Sequence, residues 1–408
     1  MDEYSKIVQA NGGKYKQIVC HTLSTNFRQS TRIEKETLFP SSLDPSQVLV
    51  ENRFLGINAS DINFTNGRYD PTIAKPPFPC GFECLGTVRA VGSQVNKKTG
   101  VKIGDAVAIS KFGSFSEFMI IDETELIQIP FLSKEFLSVI VCGSTASIAL
   151  DLVGEMKHTN NNSISGGSGG GETILVTAAA GATGQFAVQL AKLAGNHVIG
   201  TCSSQQKVDY LLNTLGCDRV INYRTENVMT VLRKEYPKGI DIVFESVGGD
   251  MYNAAINNLA IKGRLIVIGA ISGYQDDTAW KKKKTTTTTT TTEASSSLLS
   301  SPKESTRGSR GSSTPIATKL LVKSASIRGF FLNHYFRYRK THTRKLFHLI
   351  QKNLLNPGVD AKYFSGLEEI PDALEYMYER KNIGKLIVTL PEKRSKGRRE
   401  TMTGMSRL

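Results

Sequence analysis

The rhythm of apolar and polar positions changes near residue 146. Before it, from 14 to 145, short β-type runs at 47–56, 86–91, 106–110 and 115–121 are broken by Gly, Pro and Asn. Runs of this length and spacing predict an irregular β domain. After it, apolar runs at 174–177, 197–201, 219–222, 241–246, 263–269 and 326–331 alternate with helical patterns. That alternation predicts an α/β unit over 146–339 built on a doubly wound parallel sheet. A helix at 371–379 and a strand at 385–390 follow, within a segment, 340–390, expected to complete the first domain.

Two stretches interrupt the pattern. Residues 158–171 (HTNNNSISGGSGGG) are rich in glycine, but no helix follows them, so they read as a linker and not a phosphate loop. The insert 276–315 contains the run 281–310, which opens with four lysines and eight threonines and holds almost nothing apolar. Such a segment cannot bury enough surface to offset its ordering entropy.

Composition changes the picture only in part. The formal charge of +14 invites nucleic acid, yet 276–323 carries +5 of it and the tail 391–408 carries +4. Most of the excess therefore lies outside the foldable pattern, and no nucleic-acid partner is expected. No aromatic residue interleaves the Lys/Thr/Ser run, which weakens a stacking-based single-strand site. The six cysteines are scattered through 408 residues, the usage of a reduced protein and not of a disulfide framework. No apolar stretch of membrane-spanning length is evident, and the start Met1-Asp2-Glu3 is unlike a secretory signal.

The chemistry concentrates in ILVTAAAGATG, 174–184. A strand, a turn of small residues and a helix start place free N–H groups and the positive end of a macrodipole at one point, which suits a pyrophosphate. Gly181 and Gly184 let it approach, although Ala179 and Ala182 stand where a stricter fingerprint has glycine. About twenty residues on, an NAD site would offer Asp or Glu to a ribose hydroxyl. This chain offers Thr201, Cys202, Ser203, Ser204 and then Lys207. Hydroxyls plus an ammonium favour the 2′-phosphate of NADPH. The plainer alternative is a serine N-cap followed by a solvated lysine.

Several long blocks carry a family likeness: GINASDINFTNGRY (56–69), PPFPCGFECLGTV (76–88), VTAAAGATGQFAVQLAK (176–192), ESVGG (245–249), GRLIVIGAISGYQ (263–275) and GFFLNHY (329–335). In that order they resemble the medium-chain dehydrogenase/reductase superfamily, and within it the prostaglandin reductases. The resemblance implies a GroES-like β-rich catalytic domain, a Rossmann domain, and NADPH in the cleft between them. It implies a homodimer paired through the edge strand 326–331. It also implies a small apolar enone substrate, a 15-oxoprostaglandin reduced at its 13,14 double bond.

Zinc members of the superfamily place a Cys near Asn58 and a Gly-His-Glu near Gly81-Phe82-Glu83. Asn is a poor zinc ligand and Phe is none, so no metal is expected. Hydride would instead attack the β-carbon of an activated C=C, with hydrogen-bond donors stabilising the enolate.

Carried over residue by residue, the resemblance implies these roles. Thr183 lies by the pyrophosphate, and Ser203, Lys207 and Tyr223 surround the 2′-phosphate. Ser246, Ile268 and Tyr274 sit at strand ends, Phe330, Phe331 and Leu332 pass the nicotinamide, and Asn382 closes the site. Ile268 and Leu332 read equally well as core. On the substrate side, Asn58 and Tyr69 could donate to an enolate and Asp61 could brace their loop, with turn formation as the competing role for Asn58 and Asp61.

The C-terminal Ser406-Arg407-Leu408 resembles the Ser-Lys-Leu signal and implies a peroxisomal import receptor as partner. Otherwise the chain would be cytoplasmic. A quinone reductase on the same scaffold and a non-enzymatic, RNA-binding relative remain as alternatives.

Overall fold

Six parallel strands form the sheet of the second half, in the order Arg219–Asn222, His197–Cys202, Thr173–Val176, Ile240–Glu245, Leu259–Val267 and Ser326–Gly329. This is a computed structural model, and it describes residues 1–69, 75–95, 99–158, 171–276 and 315–392. Residues 159–170 of the linker 158–171, the run 281–310 and the tripeptide 406–408 lie outside the described residues.

The sheet is covered on both faces, as its unbroken apolar strands require. Ile174 and Val176 point into one core with Phe186, Val188 and Phe244. Leu175 points into the other with Val243, Leu265 and Leu232. Strand order reverses between Thr173–Val176 and Ile240–Glu245, so the carboxyl ends of these two neighbours flank the natural ligand crevice.

The first half closes on a seven-stranded sheet. Gln47–Gly56 is its centre, pairing antiparallel with Cys84–Val91, Phe118–Asp122 and the late strand Ile387–Thr389. A smaller sheet of Thr31–Leu38, Lys14–Cys20 and Phe78–Pro79 lies beside it.

Two helices depart from the sequence reading. Lys134–Val153 is long and apolar enough to cross a membrane (mean hydropathy 1.9), which corrects the view that no such stretch exists, but 83% of it is buried inside the protein. It is apolar all round because both cores claim it: Phe136 and Leu137 pack toward the first sheet, and Ala146 to Val153 toward the second. The helix Phe336–Gln351 was expected to complete the catalytic domain from about 340. It packs on both sides: Leu346 is fully buried in the Rossmann cluster, Phe347 also packs on Phe136 of the first core, and the chain re-enters the first sheet at Phe364–Ser365.

Candidate functional site

Between the two halves, at the reversal of strand order, lies a cleft of about 1320 Å³. It is lined by Gly181, Thr183, Gly184, Ser203, Lys207, Tyr223, Ser246, Ile268, Tyr274, Phe330, Phe331, Leu332 and Asn382, and also by Asn58 and Tyr69. Asp61 stands behind the wall, 2% exposed.

The glycine turn is tight for a specific reason. A Cβ on Gly184 would lie 2.5 Å from the Ala178 carbonyl oxygen and 2.8 Å from Ala179 Cα. Ala178 itself is held at φ 47°. The helix Gly184–Leu193 begins at Thr183 without a side-chain cap. Gln185 N–H already donates to Gly181 O and Phe186 N–H to Thr183 O, so it is the Gly184 N–H, at the positive end of the helix, that is left to meet an anion. The C-terminal segment is fastened to the same turn: Gly384 bridges Gly181, and its N–H donates to Ala180 O at 2.8 Å. Asn382 donates to Gly384 O at 3.0 Å.

At the far end, Ser204 does cap its helix, accepting from Lys207 N–H at 3.4 Å. Lys207 is not solvated, however. It is 8% exposed, its ammonium donates to Arg380 O at 2.7 Å, and burial lowers its pKa. Arg380, which the sequence reading missed, sits at φ 61° with its guanidinium 5.9 Å from the Tyr223 ring. Its only signal was the basic pair Arg380-Lys381 after a helix, indistinguishable from a solvated one. Lys207, Arg380, Tyr223 and Ser203 make a cationic, hydroxyl-lined pocket that fits a 2′-phosphate.

The substrate end is aromatic. Phe64 packs edge-on against Phe82 and Phe112, and Tyr69 against Phe64 and Phe331. The hydroxyls of Tyr69 and Tyr274 lie 2.7 Å apart, and Tyr274 also accepts from Ala270 N–H at 3.0 Å. Gly269 makes room for this hydroxyl, because a Cβ there would lie 2.7 Å from it. Arg68 donates to Tyr274 O at 2.6 Å and ties the catalytic loop to the strand end. Burial pushes the Tyr69 hydroxyl well up, so it stays a proton donor. Ile268 and Leu332 are both lining and core: each also packs on the Rossmann cluster.

Asn58 requires a correction. Its Nδ2 donates to Glu83 Oε1 at 2.7 Å and to Gly56 O at 3.2 Å, so neither amide hydrogen is left for an enolate. The orientation is fixed because Asn58 Oδ1 accepts from the Lys385 ammonium at 2.7 Å. Asp61 takes the Asn58 N–H at 2.8 Å, and burial raises its carboxyl to about 8. Lys385, absent from the sequence reading, is fully buried and also pairs with Glu83, while Cys142 Sγ lies 3.6 Å from its nitrogen. Burial would lower this ammonium, but the Cys142 sulfur and the Glu83 carboxylate outweigh it and hold it above its ordinary value.

Residues 44–131 match the alcohol dehydrogenase GroES-like domain, and residues 182–308 match the zinc-binding dehydrogenase family. Prostaglandin reductase-3 of Mus musculus is 44% identical over 92% of this chain and 89% of its own. A probable quinone oxidoreductase of Leishmania amazonensis is 37% identical over 92% and 98%. Among solved structures, Escherichia coli quinone oxidoreductase complexed with NADPH superposes with a TM-score of 0.70, at 23% identity over 92% of this chain and 99% of that one.

The zinc in the matched family's description finds no fit in these residues. The oxygen and sulfur atoms of Asn58, Glu83 and Cys142 already converge on an ammonium, and a metal there would set two cations in contact. Among the described residues, no group of three His, Cys, Asp or Glu is placed to hold a metal ion.

Proposed function

The chain belongs to the medium-chain dehydrogenase/reductase superfamily, and on that footing we propose that it reduces the activated C=C bond of α,β-unsaturated ketones with NADPH, 15-oxoprostaglandins being the model substrates. The observation that carries this reading is the Tyr69–Tyr274 hydroxyl pair at the aromatic end of the cleft.

NADPH supplies the hydride, which is delivered to the β-carbon. Charge then gathers on the ketone oxygen. Tyr274 accepts from Ala270 N–H, and either hydroxyl can donate across the Tyr69–Tyr274 contact; with Tyr274 as the donor, the Tyr69 hydrogen is left for that oxygen. Phe64, Phe82 and Phe112 keep water from the developing enolate, where a hydrogen bond is worth most. Solvent protonates the α-carbon while Tyr69 keeps its hydrogen on the oxygen. The helix start at Thr183 holds the pyrophosphate, and Lys207, Arg380, Tyr223 and Ser203 hold the 2′-phosphate. Ser246, Ile268, Phe330, Phe331, Leu332 and Asn382 line the nicotinamide half. Asn58 and Asp61 shape the catalytic loop.

A quinone is the second acceptor to consider, supported by the name of the Leishmania relative and by the stacking surface of the cleft. The test is NADPH consumption with an enone, a quinone and no acceptor, each with and without a strong chelator. Enone turnover that survives the chelator supports the reading. Turnover of the quinone alone, or loss of activity with stoichiometric zinc, would replace it.

For assembly, the reading includes a homodimer through the edge strand Ser326–Gly329, whose outer side has no partner strand among the described residues. For location it includes peroxisomal import through Ser406-Arg407-Leu408, tested by whether deleting the three residues moves a fluorescent fusion out of peroxisomes.

A further inference from the structure

A guanidinium lines the cleft with nothing to pair with. Arg339, in the first turn of Phe336–Gln351, is 8% exposed, and its Nε is enclosed with no acceptor. Among the described residues no hydrogen bond or ion pair reaches its side chain. Its one recorded contact is with the Phe336 ring, 5.6 Å from the guanidinium carbon. That first turn contains no acidic residue to compensate it.

The surrounding charge balance makes the vacancy sharper. Among the described residues, Glu83 is the one carboxylate near enough to act on Arg339, and Lys385 already neutralises it. Asp61, raised to about 8, is mostly uncharged at neutral pH. The buried ensemble of Glu83, Lys385 and Arg339 therefore carries one uncompensated positive charge. Burying an arginine is costly, and it keeps its charge even so, which means an anion entering the cleft recovers part of that cost.

We propose that Arg339 is a specificity-determining residue that binds a carboxylate carried by the substrate. A planar guanidinium accepts a carboxylate through two parallel hydrogen bonds. The same cleft presents the rings of Phe64, Phe82, Phe112 and Phe331, so a molecule that satisfies both is apolar along its body and acidic at one end. The inference rests on the enone-reductase reading, whose model substrates are themselves acids, and adds to it the residue that selects for the carboxylate.

The test compares straight-chain enones of several lengths that end in a carboxylic acid with their methyl esters. Wild-type kcat/KM should favour the acid at least about tenfold at the best length. In Arg339→Gln that ratio should collapse toward one, chiefly through KM for the acid, and Arg339→Lys should restore part of it. Equal use of acid and ester by the wild type overturns the proposal, and needs no variant to fold. So does a loss in Arg339→Gln that falls equally on both substrates or appears as weaker NADPH binding. If the wild type reduces no enone, the reductase reading fails by itself, and Arg339 is then read by thermal shift with decanoate and methyl decanoate. Stabilisation by decanoate that Arg339→Gln abolishes supports the carboxylate site. Equal shifts in both proteins sink it.

Discussion

The ammonium of Lys385 rests on the carboxylate of Glu83 with neither side chain exposed to solvent, although 302 positions separate them in sequence. The pair is closed by Asn58, which donates to one partner and accepts from the other.

Removing one charge should cost far more than removing both. Lys385→Met leaves Glu83 buried and unpaired, and should lower unfolding free energy by roughly 3–5 kcal/mol. Adding Glu83→Gln should recover most of that loss. Denaturant titrations of the single and double variants decide it, and equal losses in both would mean the pair contributes through packing alone.

Tyr69→Phe should lower kcat for an enone by roughly a hundredfold, the typical worth of one oxyanion donor, with NADPH affinity nearly unchanged. Tyr274→Phe should have a smaller effect, because it removes the hydroxyl that orients Tyr69 and not the donor itself. Steady-state kinetics beside a cofactor titration separates the two, and an undiminished kcat in Tyr69→Phe would remove it from the chemistry.

Lys207→Ala should weaken NADPH by about ten- to a hundredfold, the loss of a charged hydrogen bond, and leave NADH almost untouched. Arg380→Ala should act in the same direction. Fluorescence titration with both cofactors reads this, and equal losses for NADPH and NADH would assign the lysine to positioning the segment at Arg380.

Asp61 gives the fold a pH dependence of known sign. Its carboxyl is raised from 3.8 to about 8, first by burial. The folded state thus keeps a proton that the unfolded chain releases, and this contribution to stability is lost as pH rises between those values. The slope is at most about 1.4 kcal/mol per pH unit. Asp61→Asn, which cannot ionise, should gain stability relative to the wild type from acid to mildly alkaline pH. A difference that stays constant across that range would mean Asp61 ionises normally.

The parallel sheet was legible because doubly buried strands announce themselves as unbroken apolar runs, and 219–222 was read with both its ends correct. The antiparallel strands Lys14–Cys20 and Thr31–Leu38 were not read, because half their positions face water and the alternation is interrupted by charge. The cofactor side of the site was legible for a local reason: strand, turn and helix start are contiguous in sequence. Lys385 and Arg339 were invisible for the opposite reason. A lysine before a short strand and an arginine in a helix of basic residues both look solvated until the fold shows what encloses them. Asn58 was placed correctly on the cleft wall, but its hydrogens were already committed to groups that only the fold brings near.

The fastening of Gly384 to the glycine turn also orders events at the ribosome. A nascent chain that has released the six strands of the second half still lacks the strip from Asn382 to Leu386, and with it the brace on Ala180 and the lysine 327 positions from Asn58. The finished shape of the glycine turn therefore waits for late synthesis. In the cell, a chain stalled before this strip would present a cleft without its brace, and Glu83 without its ammonium, to chaperones and proteases.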